Sequence, residues 1–214
     1  MLGRDLDKGR KQMKIVGLDL ETTGIGEGHK IIEYCGIVLG ADLKEIPEES
    51  ILQRFNPKRA IDAKAEAVHH ISLADLMKEP TFETKAEEIH KQLSTAKLIV
   101  IHNASFDTSF LNQEFETLGL SPITTPTLCT MRSTRWATFS GKVPRLKELC
   151  FALNVDYNDS EAHAARYDVE VMLKCFGKLV KSKKVDRNYI FPFNEVTEEC
   201  YLQADGLSLN PKLS

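Results

Sequence analysis

Asp19 and Glu21 stand two positions apart in Lys14-Ile-Val-Gly-Leu-Asp-Leu-Glu21, an apolar segment that ends at Thr22-Thr-Gly24. Side chains alternate along a strand, so both carboxylates face one side while Val16, Leu18 and Leu20 face the other and can be buried. Two like charges about 7 Å apart, two rises of the strand, repel, and a cation between them removes the penalty. Asp107 falls in the first turn of a helix reached from the apolar run Leu98–Ile101 through His102-Asn-Ala-Ser-Phe106. Asp168 lies in a later helix, five residues after His163. Five residues turn an ideal helix about 140° past a full turn, so the two side chains do not share a face. They fit together if His163 stands on a loop or first turn and Asp168 on the rigid helix. Taken singly, each has a plain explanation: solvated strand-end acids, an acid facing the positive end of a helix dipole, a surface histidine. Taken together, four oxygen donors select a hard cation such as Mg²⁺ or Mn²⁺. Two such ions roughly 3.5–4 Å apart serve phosphodiester hydrolysis, and an imidazole that titrates near neutrality takes the proton from water.

These residues converge only if the elements bring them together. The apolar patterns predict strands over Lys14–Glu21, Ile31–Leu39, Ile51–Phe55 and Leu98–Ile101, with a last strand starting near Leu128. Helical spacing marks Phe82–Leu93, the segment with Phe106, Phe110, Leu111, Phe115 and Leu118 on one side, Leu146–Leu153 and Ala162–Val180. Ala65–Met77 reads as short helical turns. Three strands in a meander, then alternating helix and strand, then helices, imply an α/β architecture with a mixed five-stranded sheet flanked by helices. Strand-to-helix connections at the carboxyl ends of such a sheet are where functional groups gather.

The 214 residues suit one compact domain. We expect an arm over residues 1–13, the main domain over 14–180, and a tail over 181–214 that opens with the basic run Lys181-Ser-Lys-Lys184. The formal charge of −3 gives no global attraction to nucleic acid, so such binding must come from local patches and bound cations. The five cysteines are irregularly spaced with no C-x-x-C pair, which argues against structural zinc and for a reducing, cytoplasmic setting. No apolar run reaches the length of a membrane span. Arg132, Arg135, Lys142, Arg145 and Lys147, interleaved with Trp136 and Phe139, read either as a phosphate-contacting flap or as a solvated connection.

Asp19-Leu-Glu21-Thr-Thr-Gly24, His102-Asn-Ala-Ser-Phe-Asp107 and His163-Ala-Ala-Arg-Tyr-Asp168 resemble, in order and spacing, the three motifs of the DnaQ-like (DEDDh) 3′–5′ exonucleases, above all the proofreading epsilon-subunit branch of bacterial DNA polymerase III. The resemblance covers about Lys14 to Val180 and implies a ribonuclease H-like fold. It implies that Asp19, Glu21 and Asp168 hold one divalent ion, that Asp19 also touches a second, and that Asp107 completes the site through water. It makes His163 the general base, since the histidine stands five residues before Asp168, as in the histidine branch. Ala67-Val-His-His70 is similar to the family's Val-His-Gly segment near the terminal nucleotide; His69 takes the histidine position and His70 replaces the glycine. Thr22 resembles the residue near the substrate 3′ end, and Phe106 the residue that wedges against terminal bases, with core packing against Phe110 as its equal alternative. Asn103 either contacts substrate or caps the following helix, capping being favoured.

The implied substrate is the 3′ end of single-stranded DNA. An RNA-trimming activity is the alternative, because Phe106-Asp-Thr-Ser-Phe-Leu111 and Glu161-Ala-His163 also resemble ribonuclease T. A non-catalytic binding module is the least favoured reading, since all five catalytic positions are present. The resemblance also raises a DNA polymerase catalytic subunit as partner. Gly206-Leu-Ser-Leu209 faintly resembles a sliding-clamp peptide without its glutamine start or aromatic end.

Overall fold

A computed structural model describes residues 13–205. Of the arm expected over residues 1–13, all but Met13 lies outside the described residues, as does the clamp-like Gly206–Leu209. Strands β1 (Ile15–Thr22), β2 (Ile31–Leu39), β3 (Ile51–Arg54), β4 (Leu98–Ile101), β5 (Pro126–Cys129) and β6 (Ile190–Pro192) form one sheet in the order β3-β2-β1-β4-β5-β6. The pairs β1/β2, β2/β3 and β5/β6 are antiparallel, and β1/β4 and β4/β5 are parallel. The sheet is mixed, as expected, with six strands instead of five.

The added strand comes from the stretch after Val180. Ile190–Pro192 pairs with β5, and Phe193, Val196 and Tyr201 behind it enter the core. Helix α1 (Ala63–His69) and α2 (Leu73–Leu76) are the short turns expected before α3 (Ala86–Thr95). Helix α4 (Ala104–Thr117) follows β4, α5 (Leu146–Ala152) follows β5, and α6 (Ala165–Lys181) precedes the closing segment with α7 (Glu198–Ala204).

The alternation in β1 decides what lies on each side of the sheet. Val16, Leu18 and Leu20 pack with Ile89 and Leu93 of α3 and with Phe110, Leu111 and Phe115 of α4. Ile15 packs on the other face with Val169, Met172, Leu173 and Phe176 of α6. Asp19 and Glu21, two and three register steps further, therefore point toward α6. Gly17 lets that helix sit close: a Cβ there would stand 2.7 Å from Leu173 side-chain carbons.

All five cysteines are free thiols, as the sequence suggests. Among the described residues no helix is long and apolar enough to cross a membrane.

Candidate active site

The site begins where β1 and β4 part. Their ladder runs from Ile15↔Leu98 to Leu18↔Ile101 and stops, because the chain leaves β4 for α4. The next inward N–H of β1, at Leu20, is completed by a side chain: it donates to Asp107 Oδ1 at 3.0 Å. An unpaired buried N–H costs about 1–3 kcal/mol, so this bond fixes the first turn of α4 against β1. Asp107 is thereby buried at the carboxyl end of the central strand.

Asp19 and Glu21 come to the same place from β1, and Asp168 from the first turn of α6. Burial raises all four, and neighbouring carboxylates raise Asp19 and Glu21 further. Asp19 is pushed well above the carboxylate range by burial first, then by Asp107, Glu21, Asp168 and Glu33. Glu21 is pushed up to about 9 by burial and by Glu33, Asp168 and Asp107. Burial also raises Asp107, against the pull of its own and the Leu20 N–H groups. Burial raises Asp168 likewise, against the His163 N–H that its Oδ2 accepts at 3.1 Å. Asp168 Oδ1 is buried with no partner. The spread-out motifs therefore meet.

Glu33 was not singled out in the sequence. It sits on β2 directly opposite Glu21, is buried, and accepts from Arg54 Nε at 2.7 Å. Its signal was a single acid inside the otherwise apolar run Ile31–Leu39.

His163 stands in the turn just before α6, exposed and at φ +64, while Asp168 is on the helix, the division expected from their spacing. His163 lines a cleft of about 620 Å³ with His69, His70, Arg54, Arg166 and Glu170. Asp19, Glu21, Asp107 and Asp168 are not among its lining residues. His69 is buried; its Nδ1 accepts from the Ile71 N–H at 3.0 Å, and its Nε2 has no partner. Burial lowers its pKa, which favours the neutral ring. His70, at the glycine position of the resembled segment, is the left-handed C-cap of α1 at φ +58, so the turn that glycine would favour is kept despite the side chain.

Two readings change. Asn103 occupies the N-cap position of α4 in left-handed conformation at φ +72, with no side-chain capping bond, so the capping role fails and its amide is left for other contacts. The basic segment is not a free flap. Arg132 pairs with Glu198, Arg135 with Asp205 at 2.6 Å, Lys142 with Glu148 at 2.7 Å and Lys147 with Asp159 at 2.7 Å. The partners of the two arginines are more than sixty positions away, beyond what spacing reveals. The Phe106 ring lies 5.0 Å from that of Phe110, as the core-packing alternative expects, and it stays partly exposed. Thr22 is buried, and its hydroxyl donates to Gly24 O at 2.7 Å.

The donor set fits hard divalent cations: four oxygen side chains, two of them raised by their neighbours' charge and all four by burial, one with an orphaned buried oxygen. Among the described residues no three His, Cys, Asp or Glu side chains are spaced as a ready-made cage. Uncompensated carboxylates repel one another, which keeps such a set from closing by itself.

A six-stranded mixed sheet flanked by helices, with acids gathered at the end of its central strand, is the ribonuclease H-like fold that the motifs imply. Residues 16–176 match the RNase_T family model, described as Exonuclease, and the chain belongs to that family. It is 31% identical to DNA polymerase III subunit epsilon of Escherichia coli (strain K12) over 168 residues, 74% of this chain and 68% of that one. It is 32% identical to the same subunit of Rickettsia conorii over 176 residues, 78% of this chain and 74% of that one. In fold it is similar to E. coli exonuclease I in complex with a dA16 oligonucleotide, with TM-score 0.68 and 18% identity, covering 80% of this chain and 41% of that chain. It is also similar to the nuclease domain of 3′hExo, a DEDDh family member, bound to rAMP, with TM-score 0.62 and 18% identity, covering 79% and 92%. The chain thus spans about two fifths of the exonuclease I chain.

Proposed function

We propose that the chain is a 3′–5′ exonuclease that hydrolyses the terminal phosphodiester of single-stranded DNA, acting in the cytoplasm in proofreading for a DNA polymerase catalytic subunit. The observation that carries this is the gathering of Asp19, Glu21, Asp107 and Asp168 at the end of β1, where the charges of the other acids add to burial in raising Asp19 and Glu21. Gathered acids of which one, Asp107, is buried and the others partly buried are costly unless a cation joins them. Asp19, Glu21, Asp107 and Asp168 would hold two divalent ions, Mg²⁺ or Mn²⁺. When bound, such ions supply a charge that stabilises the attacking and leaving oxygens. His163, on its exposed turn, takes the proton of the attacking water and passes it to solvent; its backbone N–H holds Asp168 in the meantime. His69 and Thr22 flank the 3′-terminal nucleotide, and Phe106 and Asn103 meet its neighbours from the start of α4. The sequence identity to epsilon subunits supports the polymerase partner and the DNA substrate.

The test is digestion of a labelled DNA oligomer, and an RNA oligomer of the same sequence, with Mg²⁺, Mn²⁺ or chelator, against Asp19→Ala. Loss of 3′ nucleotides from DNA only with metal, abolished in the variant, is expected. Equal digestion by both proteins would refute the assignment, and faster loss from RNA would move the substrate to the trimming alternative.

A further inference from the structure

We propose that Ser105 and Arg132 form a subsite for a backbone phosphate of the substrate strand, and that the Glu198 carboxylate occupies it as a tethered competitor. The inference rests on the nuclease reading above and deepens it.

Glu198 opens α7, and its two oxygens are held separately: Oε1 accepts from the Ser105 hydroxyl and Oε2 from the Arg132 guanidinium. A guanidinium and a hydroxyl converging on one anion are the donors that hold phosphate. Arg132 is preset for the task. Its side chain is only 12% exposed, it lies over the Tyr201 ring with 5.5 Å to the centroid, and its Nε is buried without a partner. The anion is the loose member, since the Glu198 side chain is 56% exposed.

Glu198 is not needed to seat α7. Tyr201 is fully buried, Asp205 takes Arg135 at 2.6 Å and Tyr189 at 2.5 Å, and Thr197 caps the helix through Cys200 N–H. The location suits a strand leading to the acids. Ser105 is two residues before Asp107 in the first turn of α4, a helix of 14 residues whose N-terminal end favours anions. A strand whose end reaches Asp107 passes within one turn of Ser105. Residues 132 and 198 also fall on either side of the family match's end at residue 176, so the competitor comes from a segment beyond it.

The experiment uses the full chain, a fluorescein-labelled oligothymidylate, anisotropy in chelator between roughly 50 and 200 mM salt, and KM with Mg²⁺. Glu198→Gln is expected to bind several-fold tighter, to lower KM by a similar factor at unchanged Tm, and to steepen the salt dependence by about 0.7, the value for one more phosphate on a single strand. Adding Arg132→Gln should erase both gains. Glu198→Ala guards against residual bonding by the amide and should behave as Glu198→Gln does. Unchanged affinity and slope would overturn the proposal, and weaker binding would overturn it in favour of a structural brace. Binding is read without cleavage, so an absence of digestion tells against the nuclease reading while the anisotropy still decides the subsite.

Discussion

Replacing Glu21 by glutamine should stabilise the cation-free protein while abolishing cleavage. Burial, Glu33, Asp168 and Asp107 raise Glu21 from 4.5 to about 9. The folded chain therefore binds this proton more tightly than the unfolded chain does. The group's stability is whole below pH 4.5 and is lost as pH rises toward 9, where the folded site at last ionises. At pH 7 the unfolded chain has gained ~3 kcal/mol by releasing a proton that the folded chain keeps. Glutamine, never charged, removes that term. Because Asp19 shares the proton balance of the site, the measurable gain is about 1–3 kcal/mol, or a rise in Tm of roughly 3–10 °C for a chain of this size. Thermal unfolding in chelator from pH 4 to 8.5 reads it: the gap between variant and wild type should open with pH. Excess Mg²⁺ should close it by stabilising only the wild type. A variant that is no more stable than wild type at pH 8 in chelator would refute the reasoning, since Glu21 would then not be held against its neighbours' charge.

Two further outcomes follow from the packing. Gly17→Ala places a methyl 2.7 Å from Leu173 and should push α6, and Asp168 with it, off β1. A loss of about 1–3 kcal/mol in denaturant unfolding should come with a disproportionate fall in kcat for oligomer digestion. Phe193→Ala removes a fully buried ring just after β6. It should cost about 3–5 kcal/mol, measured by urea unfolding, and a cost near zero would mean that the segment after α6 does not belong to the core.

Elements with strong local pattern were legible in the sequence. Leu98–Ile101 is a strand at both ends as read, because it is an unbroken apolar run bounded by Lys97 and His102, and Ile31–Leu39 likewise, an apolar run with the single acid Glu33 that ends at Gly40. The gathering of the candidate acids was legible through spacing: alternation in β1 puts Asp19 and Glu21 on one face, and that face meets α6. What escaped was long-range. β6 is three residues long and ends in Pro192, and its supports Phe193, Val196 and Tyr201 fall at irregular intervals that fit neither a strand nor a helix period. The role of the basic segment escaped because Arg132 and Arg135 find their acids at the two ends of α7, Glu198 in its first turn and Asp205 at its C-cap, which only the tertiary fold reveals. Asn103 misled because its residue type favours caps, whereas its left-handed backbone turns the amide away from that use.

The bond from Leu20 N–H to Asp107 Oδ1 gives this site a built-in gauge. One carboxylate serves at once as the last rung of a β-ladder and as a member of the acidic set, so α4 cannot shift without loosening a main-chain amide of the central strand. The exchange rate of that single amide proton with deuterium then measures how firmly the helix is seated. It can be followed in chelator, with cation, or with oligonucleotide, without any turnover.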